Sequence, residues 1–371
     1  MFEGDISKQS LPHRPNFMTR GMIAASVGAA GAMLTRVCRT AYGQRLDYDT
    51  STLTKGDIAI LRFLAAVELI ESDLWQQYEE LGGETQGPQN NYQLALQFLD
   101  ADGARYITSN TLDEISHATY LNAHLESEGA HPVDLDRFRN LRGSTASGAQ
   151  NIGRLTNLMH LDMDNSWYIR YRSVEDPDSR VPLPRVIRIV NRQSIPRTDA
   201  NLHDAQRVQV IAETAAFHFG FIENAGSSLY ASLSQKVKRA SVLKIILGIG
   251  GDEIAHFLTW VDFAGHAIQR SPFNVRNGLS PVDNRDLTFP NPNGNPRGSL
   301  CQTCLSFPVP RDSISKAVRC YPTIRPVDDQ FGGAVTTING FTQNGLFVGQ
   351  SSEFLRTLLR MAEAADGAMG I

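Results

Sequence analysis

The chain has 371 residues, 42% hydrophobic and 20% charged, with a formal net charge of −4. That balance excludes a disordered chain, a collagen-like repeat, a disulfide-dense mini-protein and a polytopic membrane protein. The mildly acidic charge, with no long Lys/Arg run, also lacks the basic footprint of a nucleic-acid-binding protein, so no nucleic-acid partner is expected.

Residues 1–43 read as an export signal. Basic residues (Arg14, Arg20) precede an apolar, Ala/Gly-rich run from Met22 to Leu34, and small residues follow at Ala41–Gly43. The run falls short of the about 20 apolar residues that span a bilayer, but it suits the hydrophobic region of a signal. The stretch from Arg14 to Arg20 resembles a twin-arginine export motif, with His13 where the first arginine would stand. The expected location is the periplasm or cell envelope, with no integral membrane domain once the signal is removed.

Four segments between 52 and 270 then carry helical periodicity. Segment A (about 57–80, DIAILRFLAAVELIESDLWQQYEE) stops at Gly82-Gly83. Segment B (about 102–128) contains LDEISHATYLNAHLE, segment C (about 204–235) contains VIAETAAFHFGFIENAGSSLYASL, and segment D (about 241–268) contains VLKIILGIGGDEIAHFLTWVDFAGHAI. Between B and C runs a polar, Pro- and Arg-containing stretch, longer than a usual helix connection. Residues 271–371 form an extension rich in Pro, Asn and Gly, closed by the apolar-periodic SEFLRTLLRMAEAA at 352–365. It holds Cys301, Cys304 and Cys320, for which a disulfide of open pairing is expected in an oxidising compartment.

One pentapeptide occurs twice: Asp113-Glu114-Ile115-Ser116-His117 in B and Asp252-Glu253-Ile254-Ala255-His256 in D. Glu-x-x-His on a helix puts a carboxylate and an imidazole on one face. Both pairs lie inside apolar stripes, with Ile107, Leu121 and Leu125 in B and with Ile246, Phe257 and Trp260 in D. Burying such groups costs several kcal/mol unless they are paired or bind metal. Segment A places Glu68 in the stripe of Leu61, Ala65, Ser72 and Trp75; segment C places Glu223 in the stripe of Ala216, Phe219, Gly226 and Tyr230. Glu223 and Glu253 lie at similar sequence distances from a C/D turn near Lys238–Ala240, so they can meet in an antiparallel pair. The competing Glu213 sits about 15 Å farther along the helix and would miss.

One Glu from each of two helices plus Glu-x-x-His from each of the other two is the inventory of di-iron and di-manganese carboxylate bundles. Four carboxylates offset the charge of two divalent ions, and two imidazoles complete a mixed N/O donor set. With AVELIES, DEISH, FIENAG and DEIAH in this order, residues 57–268 resemble the ferritin-like superfamily, and the export signal and long tail resemble its exported, desiccation-related group.

The resemblance implies an all-α, four-helix bundle with a long B–C crossover and an irregular C-terminal extension ending in a helix. It also implies two Fe or two Mn ions held by Glu68, Glu114, His117, Glu223, Glu253 and His256, with O2 or H2O2 as the small oxidant. Glu71, Trp75 and Tyr230 would stand around that centre, and Asp113 and Asp252 would face outward or orient neighbouring groups. The alternative is a non-enzymatic, metal-stabilised stress protein whose extension serves partners or a homo-oligomer.

Overall fold

Thr54 opens the first helix among the described residues, α1 (Lys55–Gly82). Its hydroxyl accepts from the Asp57 backbone N–H at 3.0 Å, and the Asp57 carboxylate accepts from the Thr54 N–H in return. This capping box satisfies donors that a helix start leaves free. The computed structural model describes residues 53–84, 90–165, 167–168, 189–270 and 333–368, and these are mostly helical. The expected signal at 1–43 and Cys301, Cys304 and Cys320 lie outside the described residues.

After α1 come a short α2 (Asn91–Leu99) and then α3 (Gly103–Ser127). Asp204 caps α4 (Ala205–Ser234) by accepting from the N–H groups of Gln206 and Arg207, and α5 (Ala240–Arg270) follows after a short turn. Segments A to D thus form helices within two residues of their expected ends. The α2 helix has no counterpart among the expected elements. Nine residues are too few for periodicity to separate helix from strand.

The long helices meet in antiparallel pairs. Along α1 and α4, Tyr230 reaches Glu68, Trp75 stacks on Phe219 and Tyr78 meets His218. Along α3 and α5, His117 meets Asp252 and Asn110 meets Trp260. Each of the pairs α1/α3 and α4/α5 packs along its length, and Glu114 and Glu223 approach the same Asn110 amide across the space between the four helices.

The crossover from α3 to α4 is more apolar in its packing than its composition suggests. Leu155, Leu158, Leu161, Met163, Ile189 and Ile195 are fully buried within the shared core. A two-residue antiparallel ladder joins β1 (Leu141–Arg142) to β2 (Gly153–Arg154). Asp73, fully buried on α1, fastens this segment: it accepts from the Leu155 and Thr156 N–H groups (3.0 and 2.9 Å), from Thr156 Oγ1 (2.7 Å) and from Arg139 Nη1 (2.6 Å).

The described part of the C-terminal extension holds two helices, α6 (Ala334–Gln343) and α7 (Ser352–Asp366). The second coincides with the expected terminal stretch, while α6 replaces part of what was read as irregular chain. Phe341, Phe354 and Leu358 pack into the same core, and α7 lies on α1. No helix among the described residues is long and apolar enough to cross a membrane.

Candidate metal centre

Four helices deliver the six expected ligands to one place. Glu68, Glu114, His117 and Glu253 can each point one donor atom so that all four lie within 4.8 Å of one another; Glu114, Glu223, Glu253 and His256 can do the same. Glu114 and Glu253 belong to both quartets. The four carboxylates are fully buried and the two imidazoles nearly so. His117 Nδ1 lies 3.4 Å from Glu68 Oε2 and from Glu114 Oε2; His256 Nδ1 lies 3.2 Å from Glu114 Oε1 and 3.4 Å from Glu223 Oε2. Glu213, fully buried on α4, is in neither quartet.

Both rings turn Nδ1 inward because the other nitrogen is held from outside. His117 Nε2 lies 3.2 Å from Asp252 Oδ2, and His256 Nε2 lies 3.3 Å from Asp113 Oδ2. Each aspartate comes from the partner motif, so the pentapeptides brace each other crosswise. Both aspartates remain about half exposed, so they face outward and orient a neighbour at once.

The carboxylates are also positioned. Asn110 Nδ2 donates to Glu114 Oε1 (2.8 Å) and to Glu223 Oε1 (3.1 Å), while its Oδ1 accepts from Trp260 Nε1 at 2.7 Å. Tyr230 OH donates to Glu68 Oε1. Trp75 stacks on Trp260 with ring centroids 5.2 Å apart, so it supports the wall without touching a ligand oxygen. Gly226 leaves the space that Glu253 fills, because a Cβ there would stand 2.0 Å from Glu253 Oε2. Sequence reading missed Asn110 and the Trp260 N–H. The signal for Asn110 was present: it lies four residues before Glu114 on the same apolar stripe.

Glu71, one turn after Glu68, is a fifth buried glutamate here. Among the described residues, no Lys or Arg pairs with any of the four ligand carboxylates. In the metal-free chain protons take that role. Burial, and then the charge of Glu223, hold the Glu114 carboxyl up at about 8 against the pull of the two histidines. Burial and neighbouring glutamates likewise raise Glu253 and Glu71 well above the carboxylate range. Burial would lower His117, but its bonds to Glu114 and Glu68 outweigh it and carry the ring to about 11. His256 is raised as well, burial being outweighed by Glu223 and by bonds to Asp113 and Glu114.

The donor set fits divalent metal. Both Glu253 oxygens are buried without a hydrogen-bond partner, although buried polar atoms are normally satisfied. Glu253 is one of the two residues common to both quartets. These buried Glu/His clusters can hold a metal ion. Compared with family models, curated proteins and solved structures, the chain matches none.

Proposed function

We propose that this chain is an exported, ferritin-like four-helix bundle whose dinuclear Fe or Mn centre carries out redox chemistry with O2 or H2O2 in envelope stress protection. The observation that carries the reading is the sharing of Glu114 and Glu253 between two quartets, each completed by its own Glu and His. Glu68 and His117 would hold one ion, Glu223 and His256 the other, and the two shared carboxylates would hold both. The O/N donor set suits Fe or Mn better than soft-ligand metals. Bound ions would supply redox equivalents to a small oxidant.

The chain's own residues then bind, orient and insulate. Asp113 and Asp252 fix the ring nitrogens that face the centre; partners of this kind raise ligand basicity. Asn110 and Tyr230 set the angles of Glu223, Glu114 and Glu68. The apolar packing around Trp75, Phe219 and Trp260 excludes water on one side. The location rests on the sequence of residues 1–43.

Metal analysis of the purified chain tests the reading. About two Fe or Mn per chain, with O2- or H2O2-dependent turnover, is the expected result. Two ions without turnover would remove the catalytic claim and leave a metal braced between two helix pairs, which is the structural alternative. A chain that takes up no metal overturns both.

A further inference from the structure

The pentapeptide register pairs α3 with α5 residue by residue, and it shows where the two halves differ. Glu114 matches Glu253 and His117 matches His256, but Tyr106 falls opposite Ile245, Ser109 opposite Gly248, Asn110 opposite Ile249, and Thr259 opposite Tyr120. A cavity of about 80 Å³ lies in the half that carries the polar set, lined by Tyr106, Ser109, Asn110, His256, Thr259 and Trp260. Ser109 is exposed, Tyr106 and Thr259 are half-buried, and Asn110, His256 and Trp260 are buried, so the cavity runs from the surface to the His256 ring and to the Asn110 that holds Glu114 and Glu223.

Its floor is fixed, and its walls carry the hydroxyls of Tyr106, Ser109 and Thr259 among apolar ring faces. The Asn110 amide is held at both ends, by Trp260 on one side and by Glu114 and Glu223 on the other. Thr259 donates its hydroxyl to the Ala255 carbonyl at 3.0 Å, which leaves its oxygen able to accept. One water needs about 10–15 Å³ of such space, so the cavity takes about five to eight waters or one small molecule, and no bulky organic substrate.

Resting on the dinuclear reading above, we propose that this cavity is an entry port of the centre, and that it admits a small hydrogen-bonding oxidant, H2O2, to the position held by Glu223 and His256. Peroxide exchanges its hydrogen bonds with water for those of Ser109, Thr259 and Tyr106 as it enters. Dioxygen makes no such exchange with these hydroxyls. The register-equivalent approach to the Glu68/His117 position is built from Ile245, Gly248, Ile249 and Leu121, and none of these side chains offers a hydrogen bond.

Azide is the probe, used on the full chain loaded with Fe and oxidised, with metal content measured first. Ser109→Phe plugs the port from an exposed position; Gly248→Phe places the same ring at the matching position of the other half, where open space surrounds the glycine. Both variants should keep about two Fe per chain. Azide association, followed by its charge-transfer absorbance, should slow at least tenfold in Ser109→Phe and stay within twofold of wild type in Gly248→Phe. Thr259→Leu, a smaller block, should slow it less than Ser109→Phe but more than Gly248→Phe, and serves if the larger ring disturbs loading. Equal azide rates in all variants overturn the port. Equal slowing of reoxidation by H2O2 and by O2 in Ser109→Phe overturns the preference for peroxide. A wild-type chain that loads no metal overturns the dinuclear reading itself, and this proposal with it.

Discussion

At the scale of single residues, the centre depends on neighbours that never touch the shared space. Asp252 comes from the second helix pair yet orients His117 of the first. Replacing it with Asn keeps the shape and removes the charge, so metal affinity should fall about 10- to 100-fold, as removal of partners of this kind does; competition with a chromophoric chelator measures it. Gly226→Ala is a stronger test of geometry. Its methyl would stand 2.0 Å from Glu253 Oε2, so Glu253 must swing away and the chain should bind at most one ion by metal analysis. That these six side chains come together was legible in sequence, because Glu-x-x-His inside an apolar stripe is improbable without a partner. The crossed pairing of Asp113 and Asp252 was not, since which aspartate meets which imidazole depends on how α3 and α5 face each other.

Among elements, Asp73 shows how a polar crossover is held on a helical core. It accepts from two backbone N–H groups, one hydroxyl and Arg139. Asp73→Ala strands these donors, and each buried one left unsatisfied costs about 1–3 kcal/mol. Chemical denaturation should show that loss, with the six candidate ligands untouched. The four long helices were readable because each repeats its apolar residues over many turns. The α2 and α6 helices are nine and ten residues long and escaped, their type being set by docking against larger neighbours. Burial of Leu155, Leu158 and Leu161 was hidden for a related reason: in a segment without regular period, no pattern separates a buried leucine from an exposed one.

For the whole molecule, the buried charge sets how stability responds to pH. Glu114 in the metal-free fold titrates near 8, against about 4.3 for an unfolded chain, so between these values the folded state keeps a proton that the unfolded state releases. His117, raised to about 11 from about 6.5, acts in the same direction. Stability from both groups is therefore present at low pH and is lost as pH rises, first through the Glu114 range and then through that of His117. Thermal unfolding of the metal-free chain should show a Tm that falls steadily from pH 5 to pH 9. Saturating Fe or Mn should raise the Tm and reverse that slope, because the metal displaces these protons and binds better as they leave. Net charge gave no hint of this behaviour, since a sum over 371 residues cannot show that several negative charges share one small volume.

The division of the centre between two helix pairs also bears on the order in which the chain assembles. Each antiparallel pair is built largely from contacts near in sequence and can form early. The first pair carries Glu68, Glu71 and Glu114; the second carries Glu223 and Glu253. Their docking is the step that forces these glutamates together, and it must capture protons or cations as it proceeds. Docking is thus a counter-ion-dependent late event. Refolding at neutral pH should speed up as Fe or Mn is added in stopped-flow fluorescence of Trp75 and Trp260, whose rings come from opposite pairs.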